Sequence, residues 1–176
     1  LSVQALFAVP RTGATLAVLN PRLGSEAMER VLDAVEPDLL LSTDADVHGL
    51  GLDPDWFTTV DDLPKPPPGH GGVGEEVGAP RTFAVLWTSG TSGEPGVVPV
   101  TMDALDASAR AVSARLDLGP DDHWYASLSL AHIGGLALVH RVAHSGSCLL
   151  VRGPYSPRTL AELIDIGEVT HASLVP

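Results

Sequence analysis

The feature that most constrains the fold is an alternation of short apolar runs with amphipathic segments along most of the 176-residue chain. The runs at 39–41 and 82–87 are largely apolar and are bounded by turn residues, as is typical of buried strands. At 28–35, by contrast, apolar residues recur at the three- and four-residue spacing of a helix. The alternation predicts an α/β fold in which mixed β-sheets are flanked by helices on both faces.

Capping and helix-breaking residues set the expected boundaries. Ser25 and Thr101 are expected to be N-caps, because their hydroxyls can accept a hydrogen bond from the first helical turn. Pro10 and Pro37 are expected to end helices, because proline lacks the backbone N–H. Helices are expected at 2–11, between Ser25 and Pro37, and at 102–116, 133–144 and 156–166; strands are expected at 16–19, 39–41, 82–87, 97–100, 123–128, 147–151 and 171–175.

The net charge, the length of the apolar runs and the cysteine count indicate which partners and which cellular location the protein can have. The 10 Lys+Arg and 22 Asp+Glu give a net charge of −12, which argues against a nucleic-acid partner because its phosphates would be repelled. No apolar run reaches the roughly 18 residues of a membrane helix, and we expect neither a membrane span nor a signal peptide. The single cysteine, Cys148, cannot form an internal disulfide, which favours a cytoplasmic location. Its apolar neighbours predict that Cys148 is a buried small hydrophobe.

The segment 64–80 has a different character from the rest of the chain. Consecutive prolines are followed by glycines and glutamates without apolar periodicity, which predicts an internal linker or surface loop. His70 lies in this segment, and no second His, Cys or paired carboxylate lies at metal-ligand spacing from it. We therefore expect a solvated loop histidine and no metal site.

The segment 87–96 is the candidate ligand-binding segment of the chain. It follows an apolar strand and is rich in glycine and in hydroxylated residues. Glycines let backbone N–H groups approach a ligand closely, and Ser and Thr hydroxyls add donors, so the loop suits a phosphate. Composition alone leaves a flexible Ser/Gly turn equally open. A Walker-type phosphate loop does not fit, because no Lys follows the glycines and a strand, 97–100, comes next.

Four segments together resemble the adenylate-forming superfamily, which includes the acyl-CoA synthetases. Thr88-Ser89-Gly90-Thr91-Ser92-Gly93-Glu94-Pro95 is similar to its phosphate-loop signature. The others, in family order, are Leu19-Asn20-Pro21-Arg22-Leu23, Leu128-Ser129-Leu130-Ala131-His132-Ile133-Gly134-Gly135-Leu136 and Thr170-His171-Ala172-Ser173-Leu174-Val175-Pro176. The resemblance implies that 1–176 is a partial AMP-binding domain, within the large N-terminal domain of such a fold. Within the superfamily, His132-Ile133-Gly134-Gly135 followed by Arg141 is most similar to the o-succinylbenzoate–CoA ligases of menaquinone biosynthesis.

The resemblance implies a ligase that joins a small-molecule carboxylate to ATP, with Mg²⁺, and then transfers the acyl group to CoA. It implies that His132 lines the acyl site and that Arg141 supplies a cation for a dicarboxylic substrate. The residue types alone favour a helix-start residue for His132 and leave a solvated helix residue open for Arg141. The resemblance implies nucleotide phosphate binding by Thr88, Ser89, Gly90, Thr91, Ser92 and Gly93.

The chain departs from the family pattern in two ways. The family loop continues Pro-Lys-Gly, whereas Gly96 follows Pro95 here, and the lost cation is expected to cost about 2–4 kcal/mol of phosphate stabilisation. The family's later adenine, ribose and catalytic-lysine segments lie beyond Pro176, so we expect a fragment that is inactive alone and has no catalytic residue of its own. A truncated edge predicts an exposed strand and an apolar patch near Leu174, and hence a tendency to form homodimers or to aggregate.

Two alternatives to a ligase fragment stay open at this stage. The absent lysine and the early end of the chain fit a non-catalytic, degenerate adenylate-forming fold that serves as a binding or interaction module. A generic α/β nucleotide binder would require the order of the four segments to be coincidental.

Overall fold

The computed structural model of the protein describes residues 2–20, 22–42, 57–59, 82–88 and 96–175. The linker predicted at 64–80 lies outside these residues. Within them the chain forms α1 (Ser2–Ala8), α2 (Ser25–Val35), α3 (Met102–Leu116), α4 (Ile133–Ser145) and α5 (Pro157–Asp165). The described strands are β1 (Leu16–Ala17), β2 (Leu40–Ser42), β3 (Phe57–Thr59), β4 (Ala84–Thr88), β5 (Gly96–Val100), β6 (His123–Tyr125), β7 (Cys148–Leu150) and β8 (His171–Ala172).

The strands form small mixed sheets. Sheet A has the order β1-β4-β5, in which β1 is parallel and β5 antiparallel to β4. Sheet C has the order β7-β6-β8 and is parallel throughout. The parallel strands β2 and β3 form a separate two-stranded sheet, sheet B. The predicted class, α/β with mixed sheets and flanking helices, is confirmed.

Helix starts follow the capping residues closely, with one exception. The Thr101 hydroxyl accepts a hydrogen bond from the backbone N–H of Ala104 at 3.2 Å, which confirms the predicted cap of α3. Ser25 was expected to be the cap of α2, and this is wrong. The cap is Gly24, whose extended backbone places its carbonyl 2.9 Å from the Met28 N–H, so the helix begins one residue earlier than predicted.

Several predicted strands are longer than the observed ones. The prediction of a strand at 123–128 fails after Tyr125, because the Ser127 N–H donates to the Tyr125 carbonyl at 2.9 Å and turns the chain. The strand expected at 171–175 pairs only over β8. In both places the apolar sequence extends beyond the paired residues, and after β8 its side chains Leu174 and Val175 lie exposed.

Helix α4 is buried on two sides, which explains the apolar composition of its middle. Leu136 and Val139 join a cluster that contains Leu86 of sheet A, together with Leu105 of α3 and Leu6 of α1. On its other side, Leu138 and Val142 pack against Trp124 of sheet C. Helix α4 therefore lies between the two sheets, and α3 packs alongside it.

The other face of sheet C is covered by α5. Successive side chains of a strand point to opposite faces, so Trp124 faces α4 whereas Tyr125 faces away from it. Tyr125 is fully buried with Leu160 and Leu163 of α5. The result is a layered α/β/α arrangement around β6.

Two surface features bear on the predictions from sequence. Cys148 is exposed, so its predicted burial is wrong: it lies at the first position of β7, and only the later positions of this strand, Leu149 and Leu150, pack against buried clusters. Leu174 and Val175 are 58% and 72% exposed, as predicted for the apolar segment after β8. Among the described helices, none has the length and apolar character that a bilayer span requires.

A carboxylate joins the starts of β6 and β8. Asp122 accepts a hydrogen bond from the backbone N–H of Gly119 at 2.9 Å and one from the hydroxyl of Thr170 at 3.0 Å. The ring of His171 lies 3.4 Å from the same carboxylate. The Gly119 hydrogen bond above all, with smaller effects from Thr170 and the histidines, lowers the pKa of Asp122 below its ordinary value of 3.8, against a partial offset from desolvation.

The lowered pKa of Asp122 predicts a specific acid sensitivity. Because its folded-state pKa lies below the unfolded-state value, the carboxylate contributes stability above that value and loses it as the pH falls through the folded-state pKa. Wild type should therefore lose more stability than Asp122→Asn between about pH 5 and about pH 3, measured by urea unfolding. The matched control is Asp121→Asn at the exposed neighbouring position, which should behave like wild type. Equal acid sensitivity of wild type and Asp122→Asn would contradict the assignment.

Candidate functional site

The two strands predicted on either side of the Gly- and hydroxyl-rich segment are present. Strands β4 and β5 form an antiparallel hairpin whose last pair is Thr88 opposite Gly96. The candidate residues Ser89, Gly90, Thr91, Ser92 and Gly93 lie outside the described residues, between these two strand ends. A strand follows the loop and α3 begins only at Met102, so the hairpin differs from a Walker-type strand–loop–helix unit.

Thr88 and Gly96 are coupled across the hairpin. The Thr88 side chain is exposed, and its hydroxyl donates to the Gly96 carbonyl at 3.4 Å. A Cβ at position 96 would lie 2.6 Å from the Thr88 Oγ1. A larger residue there therefore requires the Thr88 hydroxyl to turn away, which an exposed side chain can do by rotation about χ1. Because Gly96 has no Cβ, the Thr88 hydroxyl has room to donate its hydrogen bond to the Gly96 carbonyl.

A tight turn leads into α4. The His132 N–H donates to the Ser129 carbonyl at 3.1 Å, and the His132 carbonyl accepts from the N–H groups of Gly135 and Leu136 at 3.0 and 3.1 Å. The helix then runs so close to this turn that a Cβ on Gly135 would overlap the Ser129 carbonyl and lie 2.8 Å from the Leu128 carbonyl oxygen. Glycine at 135 is thus required by backbone approach.

His132 is the N-cap of α4, but its side chain makes no capping hydrogen bond and is exposed. Its neighbour Ile133 is also 53% exposed. On the other side of His132, Ala131 is buried and Leu130 packs against the cluster around sheet A. The segment that carries His132 is therefore held against the sheet that carries the loop, with the imidazole facing solvent.

Arg141 lies elsewhere on the same helix. It lies nine positions after His132, which is about 13.5 Å along the axis and about half a turn around it. Its guanidinium lies over the indole of Trp124, 4.9 Å from the ring centroid. Partial burial lowers the pKa of Arg141 below its ordinary value by desolvation. The structure thus does not bring the two predicted substrate residues to one face of α4.

The titratable groups of the described residues do not form a metal centre. Within the described ranges, no group of three or more His, Cys, Asp or Glu side chains is placed to hold a metal ion. A surface depression at the end of α2 is lined by Leu32, Asp33, Glu36 and Pro37. Its two carboxylates make it unsuited to an anionic nucleotide, so the β4–β5 hairpin stays the better candidate.

Two contacts of α4 were not predicted from the sequence. Trp124, whose ring lies beneath Arg141, belongs to a three-residue strand. The sequence predicted the strand but not this contact. Asp106 of α3 lies 2.6 Å from the Nε2 of His140, across 34 positions of sequence. No local pattern signals either contact, since both depend on how α4 packs against its neighbours.

Comparison with known proteins gives one family match over almost the whole chain. The profile of a family described as AMP-binding enzyme matches residues 2–176. Among curated proteins, the chain is 29% identical over 173 residues to the 2-succinylbenzoate–CoA ligase of Bacillus cereus (strain ATCC 10987 / NRS 248). This similarity covers 98% of the chain and 35% of the relative, so the chain spans about a third of the relative's length.

Solved structures agree on the fold. The o-succinylbenzoate CoA synthetase (MenE) of Bacillus subtilis in complex with the acyl-adenylate intermediate OSB-AMP superposes with a TM-score of 0.79 at 22% identity. That similarity covers 98% of this chain and 46% of the synthetase. The same synthetase in complex with ATP and magnesium ion gives a TM-score of 0.74 at 21% identity, over 97% and 46% of the two chains. At these identities the likeness shows a shared fold.

The close approach at Gly135 predicts that its replacement destabilises the protein. Gly135→Ala should cost about 1–3 kcal/mol of unfolding free energy, because the new methyl group meets backbone carbonyls that cannot rotate away. Gly119→Ala is the matched control, since a Cβ there meets nothing within 4 Å. Chemical denaturation measures both variants. Equal stability of the two variants would mean that α4 starts farther from Ser129 than the structure places it.

Proposed function

We propose that this chain, which belongs to the AMP-binding enzyme family of the adenylate-forming superfamily, forms part of an ATP-dependent acid–thiol ligase. In the proposed reaction, a substrate carboxylate oxygen bonds to the α-phosphorus of ATP as the bond to pyrophosphate breaks. The thiol of CoA then attacks the acyl carbon and AMP leaves. The observation that carries the proposal is the antiparallel pair of β4 and β5, whose ends Thr88 and Gly96 flank the Gly- and hydroxyl-rich sequence 89–95.

The loop is proposed to hold the nucleotide phosphates through backbone N–H groups and hydroxyls. Thr88 is the described member of the set; its exposed hydroxyl stands at the point where the strand enters the loop. Ser89, Gly90, Thr91, Ser92 and Gly93 complete the proposed set. Such donors stabilise the charge that develops as pyrophosphate leaves, even on a protein of net charge −12, because their dipoles act locally. Mg²⁺ bound with ATP would neutralise part of the phosphate charge.

His132 is proposed to line the acyl site. Three features support this role: its imidazole is exposed, it is not used for capping, and its segment is anchored to the sheet A cluster by Leu130. An exposed imidazole of this kind can donate a hydrogen bond to the substrate carboxylate without first breaking an internal contact.

For the substrate we propose an aromatic dicarboxylate of the o-succinylbenzoate type, with CoA as acyl acceptor and menaquinone biosynthesis as the pathway. The support is the name and the coverage of the curated relative and the similarity of the His132–Gly135 segment to that group of ligases. A cytoplasmic location fits this chemistry, because ATP and CoA are cytoplasmic metabolites. Assembly as a homodimer through the apolar segment at Leu174 and Val175 is proposed on the exposure of those side chains.

A second candidate function is a non-catalytic binding module of the same fold. Gly96 favours it, since glycine places no cation beside the phosphates where the family loop carries lysine. The two functions differ in one measurable respect: a ligase turns over ATP in the presence of its acid, whereas a binding module does not.

ATP–pyrophosphate exchange separates the two functions. The full-length polypeptide that contains these residues, given MgATP and o-succinylbenzoate, should catalyse exchange, and Gly96→Lys should increase it by restoring a cation near the phosphates. An increase of about tenfold corresponds to about 1.4 kcal/mol, well within the contribution of one charge-assisted contact. Gly96→Ala is the matched control, because it introduces the same Cβ next to Thr88 without a charge.

The outcomes of this experiment are distinct. Exchange that depends on the acid and rises only in Gly96→Lys supports the ligase and the position of the loop. Absence of exchange in wild type, with recovery in Gly96→Lys, indicates a degenerate site that is otherwise intact. Absence of exchange in both, with a panel of carboxylates, rejects the ligase in favour of the binding module.

A further inference from the structure

Two adjacent residues of α4 are fixed to different elements of the fold. The Nε2 of His140 lies 2.6 Å from the Oδ1 of Asp106 on α3. The guanidinium of Arg141 lies over Trp124 of β6, in the opposite layer. Consecutive side chains of a helix point about 100° apart, so two such contacts restrain the rotation of α4 about its axis.

The His140 contact is short and largely shielded from solvent. The side chain of His140 is 12% exposed, and its ring packs edge-on against Phe83, with the ring centroids 6.4 Å apart. A carboxylate only accepts hydrogen bonds, so the Nε2 of His140 carries the proton and donates to Asp106. Its Nδ1 is buried without a hydrogen-bond partner among the described residues.

The Arg141 contact uses the aromatic face of a buried side chain. Trp124 is 4% exposed, packs against Leu138 and Val142 of α4, and is flanked by the ring of His171 at 5.0 Å. A guanidinium over an indole face is attracted by the ring quadrupole, and more strongly when both groups are desolvated. The Nε of Arg141 is buried without a hydrogen-bond partner in the described part of the chain, so stacking is the interaction that holds this end of the side chain.

We propose that His140 and Arg141 are positioning residues that fix the rotation of α4 and thereby the direction in which His132, at the start of the same helix, presents its imidazole. The inference rests on the proposed function for the role of His132. It assigns Arg141 a different role from the substrate cation expected from sequence. Arg141 then acts through Trp124, and a substrate carboxylate does not contact it.

The test is a double-mutant cycle on the full-length polypeptide with Arg141→Met, Trp124→Phe and the combined variant. Thermal unfolding reports whether the two residues interact, whatever the activity. Exchange kinetics with a monocarboxylate and a dicarboxylate report whether Arg141 acts on the substrate. Arg158→Met is the matched control, because Arg158 is an exposed helical arginine that pairs only with Glu162 of its own helix among the described residues.

We call the two contacts His140–Asp106 and Arg141–Trp124 the clamp. If the clamp fixes the rotation of α4, the losses of stability in the cycle should be non-additive. Arg141→Met should also lower kcat about tenfold to hundredfold with either acid, because the reacting groups are misplaced. This effect should shrink in the Trp124→Phe background, and His140→Gln should reproduce it. Arg158→Met should leave kcat unchanged.

Other outcomes overturn the clamp. A raised KM for the dicarboxylate alone, which persists in Trp124→Phe, identifies Arg141 as a substrate contact. Additive stability effects show that Arg141 and Trp124 do not interact. If wild type shows no exchange with any acid, the proposed function fails. Non-additive losses of stability would then show that the clamp exists but has no role in presenting His132 to a substrate, which rejects the inference as stated.

Discussion

The structure depends on the burial of α4 on two of its faces. Leu136 and Val139 pack toward sheet A, while Leu138 and Val142 pack toward sheet C, so one helix joins both sheets into a single layered core. Burial of an apolar side chain contributes about 1.5–3 kcal/mol, which makes these four contacts large relative to the marginal stability of a domain. The same helix starts at His132, so the packing that joins the sheets also places a proposed site residue.

Patterns that depend on near neighbours were predictable from the sequence. The bounds of α3 were predicted to the residue, because Thr101 supplies a local cap and Leu116 ends the helical periodicity. The β4–β5 hairpin was likewise predictable, since apolar strands flank a loop of glycines and hydroxyls. These features need only local hydrogen bonding and turn geometry. They include the part of the chain to which the resemblance assigns phosphate binding.

Features that depend on distant contacts were not predictable. Cys148 has apolar neighbours yet lies exposed at the first position of β7, and nothing local reveals that only the later positions of this strand pack against buried clusters. The surroundings of Arg141 depend on Trp124, which lies in another layer. Periodicity places a residue on a helix but does not say which element its face meets. The sequence therefore identified α4 and its first residue, whereas the packing of Arg141 on Trp124 has no local signal.

Hydrogen–deuterium exchange of backbone amides tests the central position of α4 most directly. Amides in the middle of α4, around Leu138 and Val142, should exchange more slowly than those in α5, because α4 is packed between two sheets whereas α5 covers one face of sheet C. Slow exchange confined to α4 and the central strands of the two sheets is the predicted result. Exchange in α4 as fast as in α5 would contradict the account, because the helix would then open without disrupting the core that joins the sheets.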